Sequence, residues 1–235
     1  MYKICTPRRF SSSCHDRTHL NILLWVVDLG AKIISAVLGF AVNGITVWSI
    51  ALHEMSHGFA ACITGGSIVS IEVQWTNGLA LTQGGWYPVI SISGYLGTAL
   101  FGALLFLASV HLWARWLTMF MLVATTVLLL YYSNWTIALG MAIAINAIVM
   151  VCLLWLHNAW SPSFFALLLL YPYWQDLQSL VWYQPEKTDA GLLAAHWGLP
   201  WLAWPIAIVY GLGTIIIWYF CIRHVLRSLN NHQTH

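Results

Sequence analysis

The sequence predicts an all-α multi-pass membrane protein with six or seven transmembrane helices and a short interfacial β-hairpin. Composition is the first reason. Of 235 residues 60% are hydrophobic and only 7% are charged, with a mean hydropathy of +0.76, whereas about a quarter of an ordinary soluble domain is charged. Seven acids and nine bases cannot coat the surface of such a chain, so lipid must face most of it. The second reason is segmental. Apolar stretches fall at roughly 20–40, 43–63, 88–110, 112–132, 136–157, 161–183 and 201–222, each close to the ~20 residues a spanning helix needs. The third is a change of pattern after the second stretch, where hydropathy alternates instead of running on.

Taken in order, the N-terminal tail is basic and Ser-rich (Lys3, Arg8, Arg9, Ser11 to Ser13, Arg17) and leads into an apolar stretch too long for a cleavable signal, so the N-terminus is expected to be retained. The C-terminal tail carries Arg223 and Arg227. The positive-inside rule places both tails in the cytoplasm and asks for an even number of crossings. Two stretches are the weakest spans and could be partial or re-entrant: the first, with Asp28 and Lys32 at helical i, i+4 spacing, and 161–183, broken by Pro162 and Pro172. Between the second and third stretches, Ser67 to Trp75 partly alternates, Asn77-Gly78 signals a tight turn, and Leu79 to Thr82 alternates again. This is expected to form a β-hairpin at the membrane surface, whose open edge could pair with an extended peptide.

Charge and cysteine content exclude several classes. The net charge is +2 and the pI about 8.3, but the bases sit mainly in the tails and form no stripe, so no nucleic-acid partner is expected. Five scattered cysteines, Cys5, Cys14, Cys62, Cys152 and Cys221, contain no CxxC pair and suggest neither a disulfide framework nor a zinc knuckle. No internal repeat points to a transporter. The tryptophans Trp86, Trp113, Trp135, Trp160, Trp182 and Trp201 fall where interfacial anchors belong.

The chemistry concentrates at His53-Glu54-Met55-Ser56-His57. Four residues apart on an uninterrupted helix, His53 and His57 project from one face, a spacing that suits two ligands of one tetrahedral zinc. Glu54 would lie beside the metal, where a carboxylate can take a proton from water and deliver it to a leaving amine. Ionisable residues are costly in an apolar segment, which favours function over chance.

A hydrolytic zinc takes a third protein ligand, and the remaining acids are few. Asp16 lies in the tail, Glu72 in the hairpin, and Asp28 has Lys32 one turn away. Asp176 stands at the far end of an apolar run with no nearby base, so the cost of an isolated acid in a membrane makes it the first choice for third ligand. Its bland alternative is an interfacial helix end beside Tyr171, Tyr173 and Trp174. Asp189 is second choice, because it shares the polar loop Gln184-Pro-Glu-Lys-Thr-Asp189 with Glu186, where solvation alone explains an acid.

These residues resemble the site-2 protease family of intramembrane metalloproteases, and more closely its compact peptidase-like branch. Leu52-His-Glu-Met-Ser-His-Gly-Phe-Ala-Ala61 with Thr64-Gly65-Gly66 is similar to the zinc helix and its glycine exit. Ser93-Gly94-Tyr95-Leu96-Gly97-Thr98-Ala99-Leu100 is similar to the small-residue helix that follows the hairpin, and Thr188-Asp189-Ala190 with Leu199-Pro200 to a late motif of the compact branch. Tyr171-Pro172-Tyr173-Trp174-Gln175-Asp176 resembles the approach to the family's third ligand, although Leu177 stands where glycine is expected. Gly94 and Gly97, with Ser91 and Ser93, are expected to let this helix pack closely on the zinc helix.

The resemblance implies a zinc-dependent metalloendopeptidase that cuts transmembrane-helix protein substrates within the lipid bilayer, with Glu54 catalytic and His53, His57 and Asp176 on the metal. The alternative is a catalytically silent membrane scaffold. The expected organisation is a basic tail at 1–19, a membrane metalloprotease domain at 20–225 and a polar tail at 226–235, in a bacterial inner membrane or a eukaryotic organelle membrane. Oligomeric state stays open.

Overall fold

A computed structural model describes residues 13–156, 160–178 and 187–233, apart from the side chains of 13–25, Val37, Trp160, Tyr173, Asp176, Leu177 and 230–233. The chain divides into two compact units, Met1–Val42 and Asn43–His235. In the described part of the first unit the backbone is helical, Val26, Ile33, Leu38 and Phe40 are exposed, and Lys32 Nζ meets Asp28 Oδ2 at 2.6 Å, the ion pair their spacing predicts.

Helix α1 runs continuously over Ser13–Ile63, so the two apolar stretches expected at 20–40 and 43–63 are one element. Gly44 does not break it. A side chain there would meet Met141 Sδ at 3.0 Å and Ile145 Cδ1 at 3.2 Å, so packing against a neighbouring helix fixes this glycine in helical geometry. The helix ends where Gly65 takes φ +89°, a left-handed conformation that a side chain resists.

Strands β1 (Ser67–Val73) and β2 (Gly78–Gln83) form the expected antiparallel hairpin, with Val73 opposite Gly78. The turn differs from expectation. Gln74 N–H donates to Asn77 O at 2.9 Å, so the loop occupies 74–77 and Gly78 opens β2. Buried Ile68, Ile71 and Val73 pin β1 to Val47, Ala51 and Met55 of α1.

Five further helices and two short ones complete the second unit: α2 (Tyr87–Leu107), α3 (Leu112–Tyr132), α4 (Ile137–Trp155), α5 (Trp160–Gln178), α6 (Asp189–His196), a 3-10 turn (Pro200–Leu202) and α7 (Ala203–Gln233). Among the described residues five helices are long and apolar enough to cross a membrane, with α5 contributing a shorter apolar helix over Ser161–Pro172. The main core joins Trp48 of α1 to Phe101, Leu105, Leu122, Leu153 and Leu169 of the next four helices. One chain of buried polar groups is satisfied across helices: Trp48 Nε1 donates to Asn146 Oδ1, and Asn146 Nδ2 to Thr126 Oγ1, which lowers the cost of these groups in a medium without water. Trp86, Trp113, Trp135 and Trp201 are exposed at helix starts; the Trp160 side chain and Trp182 lie outside the described residues.

Candidate metal centre

His53 and His57 sit one turn apart on the last third of α1 and face α2. The two helices meet at glycine. A side chain on Gly94 would collide with His53 Nε2 and lie 2.6 Å from both His53 Cε1 and His57 Nε2, and one on Gly97 would collide with Ser56. The small-residue face predicted for α2 is therefore the surface on which the histidine helix rests. Gly94→Ala is expected to weaken any metal binding at His53 and His57 by displacing both imidazoles, because overpacking a tight site costs about 1–3 kcal/mol; metal analysis alongside an unfolding curve in detergent checks it.

The third group is Asp189, the first residue of α6. Its Oδ2 lies 3.0 Å from His53 Nε2 and 3.2 Å from His57 Nε2. Ligand atoms on the edge of a tetrahedral zinc lie about 3.3 Å apart, given metal–ligand bonds of about 2.0–2.1 Å, and the two spacings from the carboxylate to the imidazoles are close to that edge. The three donor atoms lie within 4.8 Å of one another. Burial alone would raise the Asp189 carboxyl, but His57 and His53 outweigh it and hold it well below its ordinary range, in the anionic form that binds a cation.

Supporting contacts set each group's orientation. His57 Nδ1 lies 2.6 Å from the Ile90 carbonyl, which makes Nδ1 the protonated nitrogen and leaves the Nε2 lone pair to a metal. Tyr95 packs edge-on against the His53 ring, centroids 4.8 Å apart. Asp189 is fixed through its backbone: Ser91 Oγ donates to Asp189 O at 2.8 Å and also meets Tyr210 Oη at 2.8 Å. Behind it, Ala190 and Leu193 pack on Tyr95, Ala207 and Tyr210, holding α6 between α2 and α7.

Glu54 is buried beside this cluster, with the Ala80 amide of β2 donating to its carboxylate. Gly78 explains how the hairpin comes so near. A side chain at that position would lie 2.5 Å from Glu54 Cγ and 2.8 Å from its Oε1, so the glycine that reads as a turn residue is in fact a close-approach residue. The site is not fully buried: the side chains of His53 and Asp189 keep 14% and 20% of their exposure.

Of the residues singled out from the sequence, His53, Glu54 and His57 come together, and the acid that joins them is the second choice, Asp189. Asp176, the first choice, lies on α5, and its side chain is outside the described residues. The Ile90 carbonyl and the Ala80 amide carry no sequence signal, since a backbone group has none, and Tyr95 stands in the sequence only within the Ser93 to Leu100 likeness, with no role of its own.

No curated protein and no solved structure shows a significant match to this chain. Residues 21–221 match the family described as Peptidase M50B-like. The matched span includes His53, Glu54, His57 and Asp189, together with most of the apolar helices that make this an integral membrane protein. The chain therefore belongs to the Peptidase M50B-like family, that of the site-2 proteases.

Proposed function

We propose that the chain is an active intramembrane zinc metalloprotease that hydrolyses peptide bonds in or near transmembrane segments of membrane protein substrates. The observation that carries this reading is the convergence of His53, His57 and Asp189 with Glu54 buried alongside. His53, His57 and Asp189 hold the metal, and Asp189 takes the role the sequence first suggests for Asp176. A bound zinc would supply Lewis acidity, polarising the scissile carbonyl and acidifying water.

The protein's own groups do the rest. Glu54 takes the proton from the attacking water and returns it to the leaving amine, and the Ala80 amide keeps its carboxylate turned to the site. Because that amide points at Glu54, the outer edge of β2 looks onto the reacting centre and offers backbone partners to an unwound, extended substrate. A helical substrate must unwind first, since its peptide groups are otherwise bonded within the helix.

The reading is tested with purified protein in vesicles and a single-span substrate. Treatment with a zinc chelator is expected to stop cleavage, and added zinc to restore it. Cleavage that survives verified loss of zinc would remove the metal from the reaction.

A further inference from the structure

On the far side of the second unit from the hairpin, α2, α3 and α7 enclose a groove of about 640 Å³, a size typical of sites for small organic ligands. Leu100 and Leu107 of α2 and Ile217 and Phe220 of α7 form its walls. At one end the lining carries two cationic side chains, Arg223 and Arg227, with His224 beside them. Positions 217, 220, 224 and 227 share one face of α7, and along that face the side chains pass from Ile217 and Phe220 to His224 and Arg227. We propose that this groove binds one anionic phospholipid, with an acyl chain along the apolar walls and the phosphate among Arg223, His224 and Arg227.

Three observations favour that occupant. The cationic end has no counter-charge among the described residues, where ion pairs involve only Lys32, Asp28 and the metal-centre residues; the nearest partner of Arg223 is a neutral one, Tyr219 Oη, 3.3 Å from Nη1. A hydrogen-bonded imidazole pair and a helix N-terminus lie at the same mouth. His111 Nε2 lies 2.8 Å from His224 Nε2, and His111 is the N-cap of the 21-residue α3, which has no side-chain cap, so the positive end of that helix adds to the field. Trp113, exposed on the groove wall, has the amphipathic character of a residue at headgroup depth.

The third observation is the sidedness of the charge. In the second unit the sequence has four Lys or Arg residues, Arg115, Lys187, Arg223 and Arg227. Arg115 donates to the Leu156 carbonyl at the end of α4, and His111, one turn before it, meets α7, so Arg115, Arg223 and Arg227 lie at the same end of the helices. By the positive-inside rule this end faces the cytoplasmic leaflet, where anionic lipid is concentrated. A phospholipid matches a groove that is apolar along its length and cationic at one end, whereas an acidic peptide or free phosphate matches only the mouth.

The test is native mass spectrometry of the full chain in detergent, titrated with dioleoyl phosphatidylglycerol, dioleoyl phosphatidylcholine, dioleoylglycerol or inorganic phosphate. One phosphatidylglycerol per chain is expected to be retained about tenfold more tightly than phosphatidylcholine, and more tightly than dioleoylglycerol. The double variant Arg223→Gln/Arg227→Gln loses this preference, Arg227→Gln alone reduces it, and Lys187→Gln keeps it. Unfolding temperatures in lipid-free detergent identify any variant that fails to fold, and the single variant then decides. Equal retention of the two phospholipids, or a preference that survives both arginine changes, overturns the proposal. So does equal retention of dioleoylglycerol, displacement by millimolar inorganic phosphate, or tight binding of polyglutamate with none of phosphatidylglycerol.

Discussion

Glu54→Gln is expected to abolish cleavage of a reconstituted transmembrane substrate while leaving bound zinc at the wild-type level. The carboxylate lies beside the three groups that could hold a metal ion and is not one of them. Glutamine keeps the shape of the side chain and can still meet the Ala80 amide through its carbonyl oxygen, but it cannot accept a proton from water. General acid–base groups contribute roughly 10²–10⁴-fold to rate, and here one residue both takes and returns the proton, so a loss toward the upper end is expected. Cleavage rate and zinc content measured on the same preparation check it. A scaffold without activity would give no cleavage in either protein, and wild-type cleavage by Glu54→Gln would assign the proton transfer to another group.

Asp189→Asn is expected to release the metal, and Asp176→Asn to retain it. The Asp189 carboxylate lies about 3 Å from both imidazoles and is held as an anion by them. Asparagine removes the charge and presents a weaker donor, so zinc affinity should fall by more than the roughly 10–100-fold that follows loss of an outer-shell partner. Folding should survive, because α6 is anchored by Ala190, Leu193 and the Ser91 hydrogen bond to the Asp189 backbone, none of which the substitution touches. Competitive titration with a chelator of known affinity measures the difference. Equal metal affinity in wild type and Asp189→Asn would return the role to another acid.

The contrast between these two aspartates marks how far a linear reading reaches. His53, Glu54 and His57 were legible because a single helical turn fixes their relation, and α1 needs no tertiary information to place them on one face. Asp189 meets His53 from 136 positions away. Its neighbours Glu186 and Lys187 make it look solvated, and only packing of α6 between α2 and α7 brings it to the histidines. The likeness of Thr188-Asp189-Ala190 to a late family motif was the one signal that pointed there.

The same limit applies to the fold. Hydropathy found the apolar helices and alternation found the hairpin, because both are local patterns. It divides α1 in two at 41–42, since stretches of about 20 residues match one crossing each and hydropathy does not reveal that a single helix of 51 residues continues through both. Asn77-Gly78 reads as a tight turn for a similar reason. The glycine is required by Glu54, which lies against its α-carbon from another element, and no short-range rule carries that information.

The most direct test of the account is X-ray absorption at the zinc edge on detergent-purified wild-type protein, with total metal determined on the same sample. About one zinc per chain is expected, surrounded only by nitrogen and oxygen at about 2.0–2.2 Å, with the multiple-scattering signature of imidazole. A protein that carries no zinc, or a zinc with sulfur at about 2.3 Å, would contradict it, because His53, His57 and Asp189 offer no sulfur ligand.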